Sequence, residues 1–338
     1  MQETILITGG AGFIGSNFIN IILEQEQNLN IFNIDALTYA GNLENLKSIE
    51  NHPNYSFVHA SICDKEIVRK ICIDNNVSGI INFAAESHVD RSILDAKPFI
   101  DTNITGTLVL LEVALELGIK RYLQVSTDEV YGSLGDTGKF TEATPITPNS
   151  PYSASKAGAD HLVMAFFNTY NLPTLITRCS NNYGKFQFPE KLIPLMILNA
   201  IENKQLPVYG DGMNVRDWIH VSDHCSGIWK VYKEGVIGEV YNLGGNCEKP
   251  NIEIVKSILS YLDKPDTLIK YIKDRPGHDR RYAMDISKAK NQLNWEPEID
   301  FNSGLERTIK WYLDNPEWCN NVRSGTYRDY YQKQYESK

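Results

Sequence analysis

Seven residues near the start of the chain, Gly9-Gly10-Ala11-Gly12-Phe13-Ile14-Gly15, restrict the possible folds more than any other stretch. They follow an apolar run, Thr4-Ile5-Leu6-Ile7-Thr8, that reads as a buried strand, and they open an amphipathic stretch over 13–23. The spacing satisfies G-x-x-G-x-x-G from Gly9 and G-x-G-x-x-G from Gly10. Such glycines permit a tight turn, close approach of a pyrophosphate and close packing of helix on strand, while the helix N-terminus supplies N–H donors. The next strand-like run, Ile31-Phe32-Asn33-Ile34, ends in Asp35 about 20 residues further on, where the dinucleotide fingerprint needs an acid. A carboxylate there accepts hydrogen bonds from the adenosine ribose hydroxyls and repels a 2′-phosphate. The expected cofactor is NAD rather than NADP.

Alternation continues down the chain. Residues 55–59, 79–83, 122–125 and 174–178 read as strands, and 64–74, 98–117 and 151–170 as helices, the last opened by Pro151 in its first turn. This pattern predicts an α/β fold, a Rossmann-type doubly wound parallel sheet over residues 1–180. Beyond 180 the loops lengthen, as in Asn181-Asn182-Tyr183-Gly184, Tyr209-Gly210-Asp211-Gly212 and 274–281. Residues 181–338 are therefore expected to form a smaller C-terminal substrate-binding lobe, some segments of which return to the first. The aromatic and charged end, 311–338, acquires no role from its composition.

Two stretches carry candidate chemistry. Asp128 and Glu129 follow the run 122–125, where a parallel sheet offers side chains to a ligand. Burial and mutual repulsion can split such a pair into an acid and a base. Tyr152 and Lys156 stand four apart on an expected helix and so share a face. An ammonium beside a phenol favours the phenolate and would lower the Tyr152 pKa from its usual ~10, making it a base near neutral pH.

Composition excludes several alternatives. The net charge of −9 argues against nucleic acid, which calls for a basic face. No uninterrupted apolar run reaches the ~18 residues of a membrane span. A strand beginning at Thr4 is expected to leave no room for a secretion signal. The six cysteines are scattered without a C-x-x-C pair and read as reduced thiols, which points to the cytoplasm. His220 and His224 flank Asp223 at helical spacing, but no further ligand cluster accompanies them, so no metal is expected.

The glycine loop, Ala84-Ala85-Glu86-Ser87-His88-Val89-Asp90-Arg91-Ser92, Ser126-Thr127-Asp128-Glu129-Val130-Tyr131-Gly132 and Tyr152-x-x-x-Lys156 together resemble the extended short-chain dehydrogenase/reductases. The Thr-Asp-Glu triplet resembles, more narrowly, that of the nucleotide-sugar 4,6-dehydratases. The likeness extends to 189–194, 214–218 and 274–281. It implies that Tyr152, assisted by Lys156, removes the C4 hydroxyl proton of a sugar nucleotide while hydride passes to tightly bound NAD. Glu129 would then take the C5 proton and Asp128 would protonate the leaving C6 hydroxyl, with hydride returning to C6. Thr127 would sit near the C4 oxygen. The implied substrate is dTDP-glucose, with a UDP-sugar 4,6-dehydration or a 4-epimerisation as alternatives.

By the same resemblance Gly9, Gly12, Phe13, Ile14, Gly15, Asp35, Leu37, Thr38, Ser61, Ile62, Ala84, Ala85, Ser87, Thr102, Tyr152, Lys156 and Asn182 would hold NAD. Ser87, Thr127, Asn181, Lys191, Leu192, Pro207, Val208, Tyr209, Arg216, Asn251, Arg275 and His278 would hold the nucleotide sugar. Lys191, Arg216 and Arg275 would supply local cations for a diphosphate on an acidic protein. The helices from Pro98 and Pro151 match those that pair into a homodimer interface. One departure is Ser61, where the family usually has an acid for the adenine amino group. A 4-epimerase shares the Tyr, Lys and NAD but needs no acid/base pair like Asp128 and Glu129. A non-catalytic NAD-binding sensor would need none of the four.

Overall fold

Strand β1 (Glu3–Thr8) has no polar face: Ile5 and Ile7 lie in one buried apolar cluster and Leu6 in another. Successive side chains on a strand point to opposite faces, so apolar residues at consecutive positions require cover on both sides. The computed structural model, which describes residues 3–274 and 276–323, provides it with helices. In chain order the other strands are β2 (Leu29–Asp35), β3 (Tyr55–His59), β4 (Gly79–Asn82), β5 (Arg121–Thr127), β6 (Thr174–Cys179), β7 (Asn181–Tyr183), β8 (Leu206–Tyr209), β9 (Val215–His220), β10 (Val240–Leu243), β11 (Glu248–Pro250) and β12 (Ile269–Ile272).

Seven of them form one parallel sheet in the order β3-β2-β1-β4-β5-β6-β10. The order reverses between β1 and β4, the position at which such sheets open a ligand crevice. Helices α1 (Phe13–Gln25), α2 (Lys65–Asp74), α3 (Val89–Leu94), α4 (Lys97–Leu117), α5 (Pro151–Tyr170), α6 (Leu192–Ile201), α7 (Val221–Glu234) and α8 (Asn251–Tyr261) surround the strands. Phe18 and Ile22 of α1 and Ile228 and Tyr232 of α7 pack with Ile5 and Ile7. Val68 of α2, Leu110 of α4 and Val163 of α5 pack with Leu6 on the other face. By length and composition α4 could cross a membrane, yet Leu110, Leu111, Val113 and Ala114 are buried in this second cluster.

A further core lies beyond residue 180. It gathers Ile193 and Ile197 of α6, Val208 of β8, Ile254 and Ile258 of α8, and the aromatic residues Tyr312 and Trp318. Two later segments run back to the large sheet: α7 packs on α1, and β10 pairs with β6 as the seventh strand. Asp217 and Trp218 on β9, and Asn181 on β7, connect the two cores through a small three-stranded sheet.

Two local features set the site. Helix α5 begins at Pro151 behind a capping box in which the Ser150 hydroxyl accepts from the Ser153 N–H and Ser153 returns a bond to the Ser150 N–H. A cap of this kind is worth about 1 kcal/mol and fixes where Tyr152 emerges. Within α4, residues Ile100–Gly106 widen into a π-type turn, a distortion that recurs at functional sites. It turns Asn103 across the interface, where its amide donates to the Glu86 carbonyl (3.0 Å) and the Ser155 hydroxyl (2.8 Å) and accepts from the Glu86 N–H (2.9 Å). The loop after β4 is thereby tied to the helix bearing Tyr152 and Lys156.

Candidate active site

A cleft of about 340 Å³ runs along the carboxyl ends of the sheet strands. At its centre the glycine loop leaves no room for a side chain at Gly9, Gly10 or Gly15. Gly9 has φ +70°, and a Cβ there would stand 2.6 Å from the Ala84 nitrogen. A Cβ on Gly15 would meet the Gly9 carbonyl at 2.5 Å. The N-cap of α1 is Gly12, with no side-chain cap and no acid in the first turn. Its N–H groups therefore face the cleft as an anion site.

One end of the cleft suits an adenosine. Asp35 is 9% exposed; Oδ2 accepts from the Ala11 N–H (2.9 Å) and Oδ1 from the Leu37 N–H (2.8 Å). Burial pushes this carboxyl up while the two N–H groups pull it down, a balance that a ribose diol would tip further toward the carboxylate. Thr38, Ser61 and Ile62 line the same end. The Ser61 hydroxyl accepts from the Cys63 N–H at 3.1 Å. Ala84, Ala85, Ser87 and Thr102 line the opposite wall. Leu37 is not on the wall: with φ +50° it turns into the first apolar cluster, and its contribution is the N–H on Asp35. An open helix N-terminus, a close-packed glycine turn and a buried acid at the ribose position fit NAD.

The other end holds the titratable groups. Strand β5 runs two residues further than its apolar run suggests, so Thr127 is its last residue and Asp128–Tyr131 forms a 3₁₀ turn. The Thr127 hydroxyl accepts from the Glu129 N–H (3.3 Å) and donates to Asp128 Oδ1 (3.2 Å). Asp128 is 2% exposed and its Oδ2 has no hydrogen-bond partner among the described residues. Burial pushes its carboxyl well above the usual range, helped by Glu129 and Asp217 and opposed by Arg216. Asp128 is thereby biased toward its protonated form, with Glu129 beside it on the cleft wall.

Tyr152 and Lys156 line the cleft from α5, and both are nearly buried. The Tyr152 N–H donates to the Ser92 hydroxyl at 3.2 Å, and Phe99 meets its ring edge-on at 6.2 Å. Contrary to expectation, the phenol is pushed well above 10, by burial first and then by Glu129 and Cys179, with the Thr127 hydroxyl opposing. Lys156 donates to the Val125 carbonyl at 2.8 Å; burial lowers its pKa and Asp160 on the next turn raises it. The expected pull of the ammonium on the phenol is outweighed by desolvation.

The walls are joined across the lobes. Lys191 lines the cleft and its ammonium donates to the Ser87 carbonyl at 2.8 Å. Arg91 Nε donates to buried Glu190 at 3.2 Å, and its guanidinium lies 4.1 Å from the centroid of the Tyr39 ring, which Phe188 meets edge-on at 5.7 Å. Tyr39, Glu86, Phe188 and Glu190 line the cleft without having been singled out from sequence. Glu86 and Glu190 stand inside or beside quoted motifs, and a buried acid next to Arg91 or Lys191 was the available signal.

Asn181 and Asn182 are on the cleft wall, but Leu192, Pro207, Val208, Tyr209, Arg216, Asn251 and His278 are not. Leu192 starts α6, and Val208 is 2% exposed in the second-lobe core. The Tyr209 hydroxyl donates to Asp90 at 3.1 Å, and its ring lies 6.0 Å from His278, whose Nδ1 is 2.6 Å from Asp274. Arg216, 5% exposed, lies 4.3 Å over the Tyr282 ring and donates to the Asp279 carbonyl at 2.9 Å. The Asn251 N–H donates to the Asn214 carbonyl at 3.0 Å. Of these, Arg216 is near enough to the reactive end to act on Asp128. Arg275 lies outside the described residues. His220 and His224 do not converge: His220 caps α7 by accepting from the Ser222 N–H, and His224 faces Asn182.

Residues 6–308 match the family described as GDP-mannose 4,6 dehydratase. The dTDP-glucose 4,6-dehydratase of Xanthomonas campestris pv. campestris is 52% identical, the match covering 97% of this chain and 98% of the relative. One from Escherichia coli K12 is 47% identical over 99% of each. Among solved structures, the Bacillus anthracis dTDP-glucose 4,6-dehydratase in complex with NAD superposes with a TM-score of 0.90 at 53% identity, covering 95% of this chain and 99% of that one. The Streptomyces venezuelae enzyme DesIV, with NAD and TYD bound, gives 0.92 at 45% identity, covering 94% and 99%. A UDP-glucose 4-epimerase from Thermotoga maritima gives 0.86 at 28% identity, covering 93% and 99%.

Proposed function

Because the chain belongs to the GDP-mannose 4,6 dehydratase family, we propose that it is an NAD-dependent hydro-lyase that converts dTDP-glucose to dTDP-4-keto-6-deoxyglucose. The carrying observation is the adjacent carboxyl pair at the end of β5, facing the cleft. Asp128, buried and with its carboxyl pushed well above the usual range, stands beside Glu129 in the cleft that also contains Tyr152. An epimerase at C4 has no work for such a pair.

The glycine loop and the α1 N-terminus hold the pyrophosphate of NAD, Asp35 the ribose, and Lys156 and Asn182 the reactive end. Bound NAD supplies the oxidant for the C4 carbinol and gives the reducing equivalents back at C6, so the sugar is rearranged without net redox change. Tyr152 takes the C4 hydroxyl proton, assisted by Lys156 one turn along α5. The C4 ketone acidifies the neighbouring C5 hydrogen, which Glu129 removes as a carboxylate. Asp128 donates its proton to the C6 hydroxyl, which leaves as water. Thr127, hydrogen-bonded to Asp128 and next to the Tyr152 phenol, orients both.

In this reading residues 1–180, with Val221–Glu234 and Val240–Leu243 returning to them, hold the dinucleotide, and the rest of 181–338 holds the nucleotide sugar. Lys191, Arg216 and Arg275 neutralise the diphosphate. The chain acts as a homodimer in the cytoplasm. Exposed Ile93 and Leu94 on α3, Ile100 on α4 and Met164 on α5 support an apolar contact there, and six free thiols support a reducing compartment.

The test is to incubate the purified protein separately with dTDP-glucose, UDP-glucose, UDP-N-acetylglucosamine and GDP-mannose. Each reaction is read by the alkaline absorbance of a 4-keto sugar. Reaction fastest with dTDP-glucose is expected. An epimerised sugar, or no 4-keto product from any of the four, would refute the reading.

A further inference from the structure

His224 is a fully buried histidine that the reaction above does not use. It projects from the first turns of α7, next to Cys225, whose thiol reaches the Ile14 carbonyl of the glycine-loop helix. Its Nδ1 lies 2.9 Å from Asn182 Oδ1, and its Nε2 has no hydrogen-bond partner among the described residues. Burial pushes the imidazole down to about 3, so it is neutral throughout the range in which the protein works.

The surrounding network determines where the imidazole carries its proton. Asn182 Nδ2 donates to the Ser180 carbonyl at 3.0 Å, so the amide oxygen is the atom that faces His224. An oxygen accepts, and Nδ1 must therefore be the protonated nitrogen. This leaves Nε2 as a buried acceptor, a lesser cost than a buried donor without a partner. One Nδ2 hydrogen is committed to Ser180, and the other is on the side of the Cys179 thiol, a weak acceptor on the cleft wall. Asn182 is on the cleft wall, as are Cys179 and Ser180, at the end that also holds Tyr152 and Lys156. If His224 carried its proton on Nε2 instead, the amide would turn over and present its oxygen to the cleft.

We infer that His224 is a positioning residue: as the Nδ1–H tautomer it locks the Asn182 amide so that an N–H donor faces the reactive end of the dinucleotide, where it takes an acceptor oxygen of the nicotinamide carboxamide. The inference rests on the functional reading above for the identity of the cofactor.

Two substitutions separate this role from packing. His224→Asn places an amide N–H near the position of Nδ1 but leaves a void. His224→Leu fills more of the space and has no donor. NAD is titrated calorimetrically into each variant and the parent after removal of cofactor, and thermal unfolding of each is followed in parallel. The expected order is parent, then the asparagine variant within about threefold, then the leucine variant weaker by roughly five- to tenfold, the worth of one hydrogen bond. The leucine variant should nevertheless unfold at the higher temperature of the two. NAD affinity that follows thermal stability instead, with leucine binding as well as or better than asparagine, would overturn the inference. Should a variant fail to fold, 15N resonances of histidine in the parent still decide: a protonated Nδ1 on His224 is required, and a protonated Nε2 would refute it. Neither measurement uses a sugar substrate, so a wrong choice of nucleotide sugar leaves both informative.

Discussion

The ammonium of Lys156 donates to the main-chain carbonyl of Val125 at 2.8 Å, pinning the second turn of α5 to β5 two residues before Thr127. The bond aligns the helix that carries the phenol with the strand end that carries the acids. It also leaves the phenol in a neighbourhood dominated by burial and by Glu129, which hold its proton. A phenol of this kind is a base only once its surroundings gain positive charge, and its ionised fraction increases with pH. Tyr152→Phe should therefore slow C4 oxidation by 10²–10⁴-fold, the usual loss when a general base is removed. Stopped-flow absorbance in the reduced-nicotinamide band measures it, and a rate within a few-fold of the parent would exclude Tyr152 as the base.

In the proposed mechanism Asp128 and Glu129 serve the elimination, not the oxidation. Asp128→Asn with Glu129→Gln should leave the first step running and stop the second. A single turnover of the double variant should accumulate NADH with no return of the absorbance, whereas the parent shows a transient. Substrate that binds without any change at the reduced-nicotinamide band would show that the two carboxyls are needed for oxidation as well.

Asp217 carries a stability cost that can be read by pH. It is 1% exposed, and burial pushes its carboxyl up to about 6, with the Cys247 N–H at 2.7 Å opposing. The native state then holds this proton more tightly than the unfolded chain, whose aspartates titrate near 4. Stability associated with the group is present in acid and is lost as pH rises from about 4 through 6. Above that window the cost is about 3 kcal/mol. Asp217→Asn should raise the free energy of unfolding at pH 8 relative to the parent, and the advantage should shrink as the pH approaches 4. Denaturant titrations at the two pH values test this; an advantage independent of pH would mean that Asp217 does not titrate in the window.

The features written locally in the chain could be read from it. Pro151 behind Ser150 gives the start of α5, and the glycine spacing with Asp35 gives both the crevice and its ribose end. What sequence could not supply was the outcome of burial. Tyr152 and Lys156 have the spacing that lowers a phenol, but the ammonium is occupied by Val125 and desolvation prevails. Nor could spacing bring together Tyr39, Arg91 and Glu190, which meet only because the loop after β2, helix α3 and the approach to α6 close over one cleft. Nor could spacing assign His224 a partner, which is an amide 42 positions earlier.

Ser61 tests the adenine end. The usual acid at this position makes a charge-assisted hydrogen bond to an amino group, roughly twice as strong as a neutral one. Here a hydroxyl lines the cleft instead, already accepting from the Cys63 N–H at 3.1 Å. A serine is shorter and neutral and reaches an amino group across the cleft through water. Ser61→Asp should recover about 1 kcal/mol, somewhat under tenfold in affinity. The residue is exposed, so the new carboxylate pays little for desolvation. In the proposed function Asp35 and the glycine loop hold the rest of the dinucleotide, so turnover at saturating NAD should be unchanged. Calorimetric titration of NAD into cofactor-stripped protein gives the comparison. Equal or weaker binding by the aspartate variant would mean that residue 61 does not face the adenine, and that this chain retains NAD through the pyrophosphate and ribose alone.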